Sequence, residues 1–492
     1  MTAASVTQSR QFVRIARHEW RMLRADRACW LGTTILAMAV LYGTWTGVSW
    51  IRFQERTIGA ARADEAATIA AKRGELREIQ AGTREAPRWT DPRSPALMGG
   101  INHGGRIAWM PPGPLGMLSI GQGDLYPYYF TVSIKSREAF IGADEIENPQ
   151  ILLTGRFDLA FAIVWLFPLV ILALSFNVLS LEKEQGTLPL VLSQQVSLRT
   201  LMAAKVSVRA ALVVGIAVVI ACIASALGGA TVWQSETAWR LAIWIVAVTS
   251  YGLFWFALAV LVNAAGRSSS TNAVVLAGLW LIFVLLIPTI VNSATTAAYP
   301  IASRVEMIQA VRRASDAANA RGSELLGRYF QDHPDMVRAS AAALSAEDFY
   351  SRRIAVQDDT ERQVQPVLDR FSEQLTRRER LANRFQYLSP AMVAHMLFND
   401  IADSSSARYR HFVTQVEGYH RDWRAFFYPR ILQRATLSER DWENMPAFVY
   451  HPEPNGAVLA RALAGLGGLI LPTLCVSALA LMRLTRYPVA CA

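Results

Sequence analysis

Six stretches of mainly apolar residues, near 28–51, 157–180, 206–230, 239–262, 272–292 and 457–482, each meet the length of about 20 residues that crosses a bilayer core as a helix. In hydrocarbon every backbone N–H and C=O must find a partner within its own segment, so a run of this kind can only be helical. Charged residues make up 18% of the chain, against about 25% in soluble domains. The runs predict an α-helical polytopic membrane protein: six transmembrane helices with two extracytoplasmic insertions, the first mixed α/β and the second mainly helical. The implied division is an amphipathic entry helix at 1–27, span one at 28–51, a first insertion at 52–156, span two at 157–180 and a polar segment at 181–205. Spans three to five follow at 206–292, then a second insertion at 293–455, span six at 456–483 and a tail at 484–492.

A net charge of +10 raises the question of nucleic acid, and its distribution answers it. The two long insertions are nearly neutral, with 13 basic and 12 acidic residues in 52–156 and 21 of each in 293–455. The excess sits in the N-terminal arm (Arg10, Arg14, Arg17, Arg21, Arg24 and Arg27 against Glu19 and Asp26), in 181–209, at Arg267 and at Arg483 and Arg486. All of these fall on one side of the predicted membrane, which the positive-inside rule makes the cytoplasm. Both termini are then cytoplasmic, in a bacterial inner membrane, and no nucleic-acid partner is implied. Cys29, Cys222, Cys475 and Cys491 lie in spans or at their cytoplasmic ends and offer neither a disulfide framework nor a zinc spacing.

Along the chain, Phe12, Ile15, Trp20 and Leu23 recur at helical spacing against an arginine face. That is an interfacial helix, serving as an anchor or as a partner contact. The Ala-rich charged stretch 55–85, with Ile58, Ile69, Leu76 and Ile79, predicts a helix continuing out of span one. Between Pro87 and Pro127 the composition turns to Pro and Gly and excludes long helices. Tyr128, Phe130, Val132 and Ile134 then alternate with Tyr129, Thr131, Ser133 and Lys135, the period of a half-buried strand. Arg156 and Asp158 read as an interfacial charge pair at the start of span two, and Trp233 and Trp239 as an aromatic belt. Pro168, Pro288 and Pro472 lie within spans and predict kinks or local opening.

In the second insertion, Ser345 with Asp348 resembles a capping box, and Ser389 before Pro390 predicts a helix start. Tyr409, Phe412, Val416, Tyr419, Trp423 and Phe427 share one helical face, the pattern of a packing stripe. Gly465, Gly467 and Gly468 predict close helix approach along the last span, inside the bundle or at a dimer seam.

Catalytic patterns are scarce. The chain holds no GxxxxGK[ST], HExxH or GxSxG motif. Glu417 and His420 form one ExxH pair without a second, and His103 sits in a glycine-rich loop, so neither makes a metal site. Spans nearly free of central ionisable residues argue against a proton- or ion-coupled carrier. Energy for any work done by this bundle must then enter from elsewhere, and the polar segment 181–205 is the candidate entry.

There the sequence resembles the ABC-2 type permeases, the membrane subunits of a large group of ATP-binding-cassette transporters. The matching residues are Glu182, Glu184, Gly186, Thr187, Leu188, Leu190, Leu192, Ser193, Val196, Ser197 and Lys205, with Gln195 where the family has proline. The stretches DPRSPA (91–96), PPGPLGMLSIGQGDLYPYYF (111–130), ENPQILLTGRFDLAF (147–161) and YLSPAMVAHML (387–397) are similar to a branch with two long extracytoplasmic segments. The resemblance implies six spans per subunit, a second permease subunit, identical or paralogous, and two cassette ATPase subunits below. It implies no cofactor or enzymatic activity in this chain, with ATP and Mg on the ATPase, and makes 181–205 the coupling helix region. Glu182 and Glu184 are then charges that orient the ATPase, and Leu188, Leu190, Val191 and Leu192 its apolar anchor. One alternative is a mechanotransmitter that drives a periplasmic or outer-membrane partner and passes nothing through the membrane. Another, a membrane-anchored periplasmic enzyme, finds no catalytic constellation.

Overall fold

The computed structural model describes residues 3–87, 90–100, 105–121, 123–136, 157–194, 196–227, 235–300, 304–332 and 349–487. His103, Arg156, Gln195, Trp233, Ser345, Asp348, Cys491 and the stretch 147–156 lie outside them. The chain is mostly helical. Among the described residues six helices are long and apolar enough to cross a membrane: Arg27–Gln80, Leu159–Glu184, Leu198–Leu227, Glu236–Asn263, Ser269–Ala298 and Asn455–Thr485. These are the features of a helical membrane protein, and each helix overlaps one of the six apolar runs.

Helix α1 (Ala3–Ala25) ends where Asp26 turns extended and its carboxylate accepts from the Ala28 N–H at 2.9 Å, capping α2 (Arg27–Gln80). At 1.5 Å per residue α2 runs about 80 Å, an apolar half followed by the Ala-rich half. In that second half Ile58 and Leu76 are buried. Its Glu65 accepts from the Ile107 N–H at 2.9 Å, and the Arg62 guanidinium lies 4.7 Å from the Trp109 ring. After the short α3 (Pro95–Met98), strands β1 (Arg106–Trp109) and β2 (Tyr129–Val132) pair antiparallel, Ala108 opposite Phe130. Phe130, Val132 and Ile134 are buried and Tyr129 and Thr131 exposed, as the alternation predicts, but the strand ends at Val132 and Ser133 beyond it is buried as well.

The second apolar helix comprises α4 (Leu159–Phe161), a π-helical turn (Ala162–Leu166) and α5 (Phe167–Ser175). Two short helices follow, α6 (Ser180–Glu184), which ends that apolar stretch, and α7 (Leu188–Leu192), then α8 (Leu198–Leu227) and α9 (Ser235–Asn263). The fifth apolar helix repeats the pattern of the second: α10 (Ser269–Trp280), a π-helical turn (Leu281–Leu286) and α11 (Ile287–Ala298). Each π turn stands immediately before a proline, Pro168 or Pro288. A proline has no N–H to offer the carbonyl four residues back, and for Pro168 that carbonyl is Val164, which accepts instead from the Tyr251 hydroxyl at 2.8 Å. The Trp280 indole donates to the next carbonyl, Trp165, at 3.2 Å. In the fifth helix the Phe283 carbonyl accepts from the Ser389 hydroxyl. Pro472 has no such turn before it: α-helix continues on both sides.

The second insertion forms α12 (Arg304–Ala320), α13 (Gly322–Asp332), α14 (Phe349–Phe385), α15 (Pro390–Ile401), α16 (Ser406–Leu432) and α17 (Glu439–Glu443), before the last apolar helix α18 (Asn455–Thr485). Phe412, Val416, Tyr419, Trp423 and Phe427 are buried in a core shared with β2, α13 and α14, so the aromatic stripe is a packing face. His420 Nε2 meets the Lys135 carbonyl at 2.8 Å.

Helix α15 departs from its sequence reading as an ordinary helix of the insertion. Its Val393, Ala394, Leu397, Phe398 and Ile401 belong to the core of the apolar bundle, with Trp244, Phe254 and Leu469. Ser389 caps it through the Ala391 N–H at 3.2 Å while also holding the π turn. Gly465 and Gly468 of α18 face Leu397 and Tyr387, which places them inside the chain rather than on a free seam, whereas Gly467 meets nothing. Asp158 differs as well. It is a buried cap accepting from Phe161 and Ile120 N–H groups at 2.6 and 2.8 Å, not a surface charge.

Candidate coupling site

The segment after the second apolar helix closes one end of the bundle. Leu179 N–H donates to Asn263 Oδ1 at 3.2 Å, and Asn263 Nδ2 donates to the carbonyls of Ser175 and Ala259 at 3.1 and 2.9 Å. That amide ties the end of α5 to the end of α9. Helix α6 stops at Gly186, whose φ of +68° is the left-handed conformation that ends helices and that a side chain would strain. The Thr187 N–H returns to the Glu182 carbonyl at 3.0 Å, turning the chain into α7.

Helix α7 has two faces. Leu188 is buried, with Val191 and Leu192 half-buried beside it, in a small core containing Leu179, Leu201, Met202, Ala264, Leu484 and Tyr487. This core joins the starts or ends of α8, α9 and α18, and Ile15 of α1 packs on it. On the opposite side Leu190 is 68% exposed, and Leu181 on α6 is 40% exposed. Ser193 closes α7 with its hydroxyl on the Leu190 carbonyl at 2.8 Å.

The two carboxylates read from sequence as docking charges are engaged within the chain. Glu182 pairs with Lys205 at 2.6 Å, and Lys205 also donates to the Val178 carbonyl at 3.1 Å, so that α8 is clamped to α6. Glu184 accepts from the Ser269 N–H at 2.6 Å and its hydroxyl at 2.9 Å, so a distant part of the sequence satisfies the first N–H of α10 beside its own cap, Ser268. Lys183 donates to the Gly266 carbonyl at 2.9 Å. At the edge of the site Arg209 pairs with Glu19 at 2.5 Å, joining α1 to α8. The charge pattern therefore ties this platform to its own bundle, and its outward side presents Leu181 and Leu190 among the exposed polar residues Lys183, Glu184 and Gln185.

Sequence reasoning missed Asn263, Ser269 and Arg209. A buried Asn at the last residue of an apolar run, followed by Gly266 and a serine cluster, was the available signal. It needs a partner to be read.

At the opposite end, Arg240 is buried and donates to Asp403 at 2.7 Å and to the Ile401 carbonyl at 3.2 Å, pinning α9 to the end of α15. Arg461 of α18 pairs with Glu453 at 2.6 Å and Asp400 at 3.2 Å. Among the described residues no cluster of three or more metal-ligating side chains forms.

No curated protein matches the chain significantly. Residues 304–451, which run from the start of α12 to the approach to α18 and include α15, match a family described as a domain of unknown function (DUF3526).

Proposed function

We propose that this chain is the membrane-spanning permease subunit of an ABC-2 type ATP-binding-cassette transporter, with six spans, both termini in the cytoplasm and ATP hydrolysed on separate ATPase subunits. The carrying observation is the two-sided platform of α6 and α7. Its inner side is locked to α1, α8, α9, α10 and α18, while Leu181 and Leu190 stand exposed on its outer side. A lever needs both properties, since a docking surface that moved independently of the helices would transmit nothing. Apolar anchors of this kind dominate docking energies, and motion of the platform would carry all the helices bonded to it.

The test is copurification with cassette ATPases encoded beside the chain. Leu190→Asp should lose ATPase recruitment, with unchanged thermal stability, because the side chain faces outward. Recruitment unaffected by Leu190→Asp and Leu181→Asp together would overturn the docking assignment.

One observation favours mechanotransmission over passage of a substrate. Helix α15, which belongs to the insertion, is built into the bundle between both π turns and α18. Movement of the bundle would therefore be delivered directly to the insertions.

A further inference from the structure

Where the two insertions meet, far from the platform, a cavity of about 420 Å³ opens between α12, α14 and the segment that follows β2. That volume lies in the range of small-ligand sites. Its wall carries Lys135 from the first insertion and Arg352 and Arg353 from the second, together with Phe349, Asn319 and Gln357.

Among the described residues the charge here is uncompensated. Among the described residues, no carboxylate lies within ion-pairing distance of Lys135, Arg352 or Arg353. The acids of the neighbouring turns of α14 are committed elsewhere: Asp358 to Arg362 at 3.1 Å, Asp359 to Arg321 at 3.5 Å and Glu361 to Arg424. Solvated lysines and arginines are common, but three from two separate insertions around one cavity, each without a carboxylate partner among the described residues, concentrate positive potential there. The groups are also positioned. The Arg352 stem lies over Gly322, where an added Cβ would come within 3.1 Å of it. The Arg353 guanidinium stands 5.9 Å from the Phe349 ring, and the Lys135 backbone is held by His420.

We infer that this cavity binds a small soluble anion carrying carboxylate or phosphate groups, which bridges the two insertions. Guanidinium forks and an ammonium are the donors such groups require. Phosphate could also arrive on a lipid headgroup, but the position argues against it. Arg378 of α14 bonds Asn292 near the end of the fifth apolar helix, and α14 rises about 27 Å from there to Thr360 on the cavity wall. The inference stands on the insertions alone and is independent of the ATPase-docking proposal.

The experiment is calorimetric titration of the full chain in phosphatidylcholine nanodiscs with inorganic phosphate, and separately with citrate, at low ionic strength. Saturable binding of either is expected. It should weaken about tenfold or more in Lys135→Gln and in Arg352→Gln/Arg353→Gln, remain in Arg328→Gln, whose arginine pairs with Glu324 away from the cavity, and fall as salt rises. Unchanged binding on adding phosphatidylglycerol supports a soluble ligand, and competition by that lipid overturns it. Absence of binding by both anions, or equal weakening in Arg328→Gln, overturns the site. Thermal melts of each variant establish that it is folded.

Discussion

Glu182 and Glu184, two residues apart, bind different helices, and their substitutions should differ accordingly. Glu184→Ala removes the tie to Ser269 at the start of α10 but leaves the Ser268 cap in place, and on the proposed function it should reduce ATPase stimulation while the ATPase still binds. Loss of binding itself would mean that Glu184 touches the partner. Ser389 is a second single-residue bridge. Ser389→Ala leaves the Phe283 carbonyl and the first turn of α15 unpaired, so a cost of about 1–3 kcal/mol should appear in thermal unfolding, and an unchanged melt would dismiss the bridge. In the second insertion, burial pushes the Asp441 carboxyl up, but the Ser438 N–H and hydroxyl and the Arg430 guanidinium outweigh burial and hold its pKa below the usual 3.8. The sign follows: its stabilisation is full above that value and is lost as pH falls through the lower folded value. Asp441→Asn should cost about 1 kcal/mol at pH 7, as a lost cap does. The gap to the parent should close in melts below about pH 4, and a gap constant with pH would assign the effect to packing.

At the scale of elements, each of two π turns is met by a hydroxyl from another element. Pro168 leaves the Val164 carbonyl without its helical N–H and the Tyr251 hydroxyl takes that place, while the Ser389 hydroxyl donates to Phe283, five residues before Pro288. The cycle that tests this uses Tyr251→Phe and Pro168→Ala. Tyr251→Phe alone should destabilise by about 1–2 kcal/mol. Adding Pro168→Ala returns an N–H to the Val164 carbonyl and should recover most of the loss, a coupling visible as non-additive melting. Strict additivity would show that the hydroxyl and the proline are unrelated. The prolines and the Ser389–Pro390 start are legible in sequence by their chemistry. That Ser389 serves a helix 106 residues away is not.

Across the whole molecule, α15 links the insertions to the bundle, and its seam with α18 is close enough to lock. The Leu397 Cβ lies 3.2 Å from the ideal Cβ position of Gly465, a few tenths of an ångström short of the disulfide spacing of about 3.5–4.5 Å between Cβ atoms, so a small outward shift admits the bond. In a background with the native cysteines replaced, Leu397→Cys/Gly465→Cys should crosslink under oxidant. If α15 moves against α18 during the cycle, ATPase stimulation should fall to its basal rate and return on reduction. Full activity of the crosslinked form would show that α15 and α18 travel as one body.

Apolar length, helical spacing and strand alternation are local properties, and the sequence by itself therefore determined the six long apolar helices, the helical extension of α2, the half-buried β2 and the packing stripe of α16. It also marked 181–205 as an odd polar interruption. Only the tertiary structure decided what that segment's charges do, because Glu184 meets Ser269 across 85 residues and no local pattern encodes such a meeting. The same holds for α15. With 12 residues it is too short to span, so its sequence reads as an ordinary helix of the insertion. Its place inside the bundle follows from glycines on α18 and an open π turn on the fifth apolar helix, surfaces that exist only once the chain has folded.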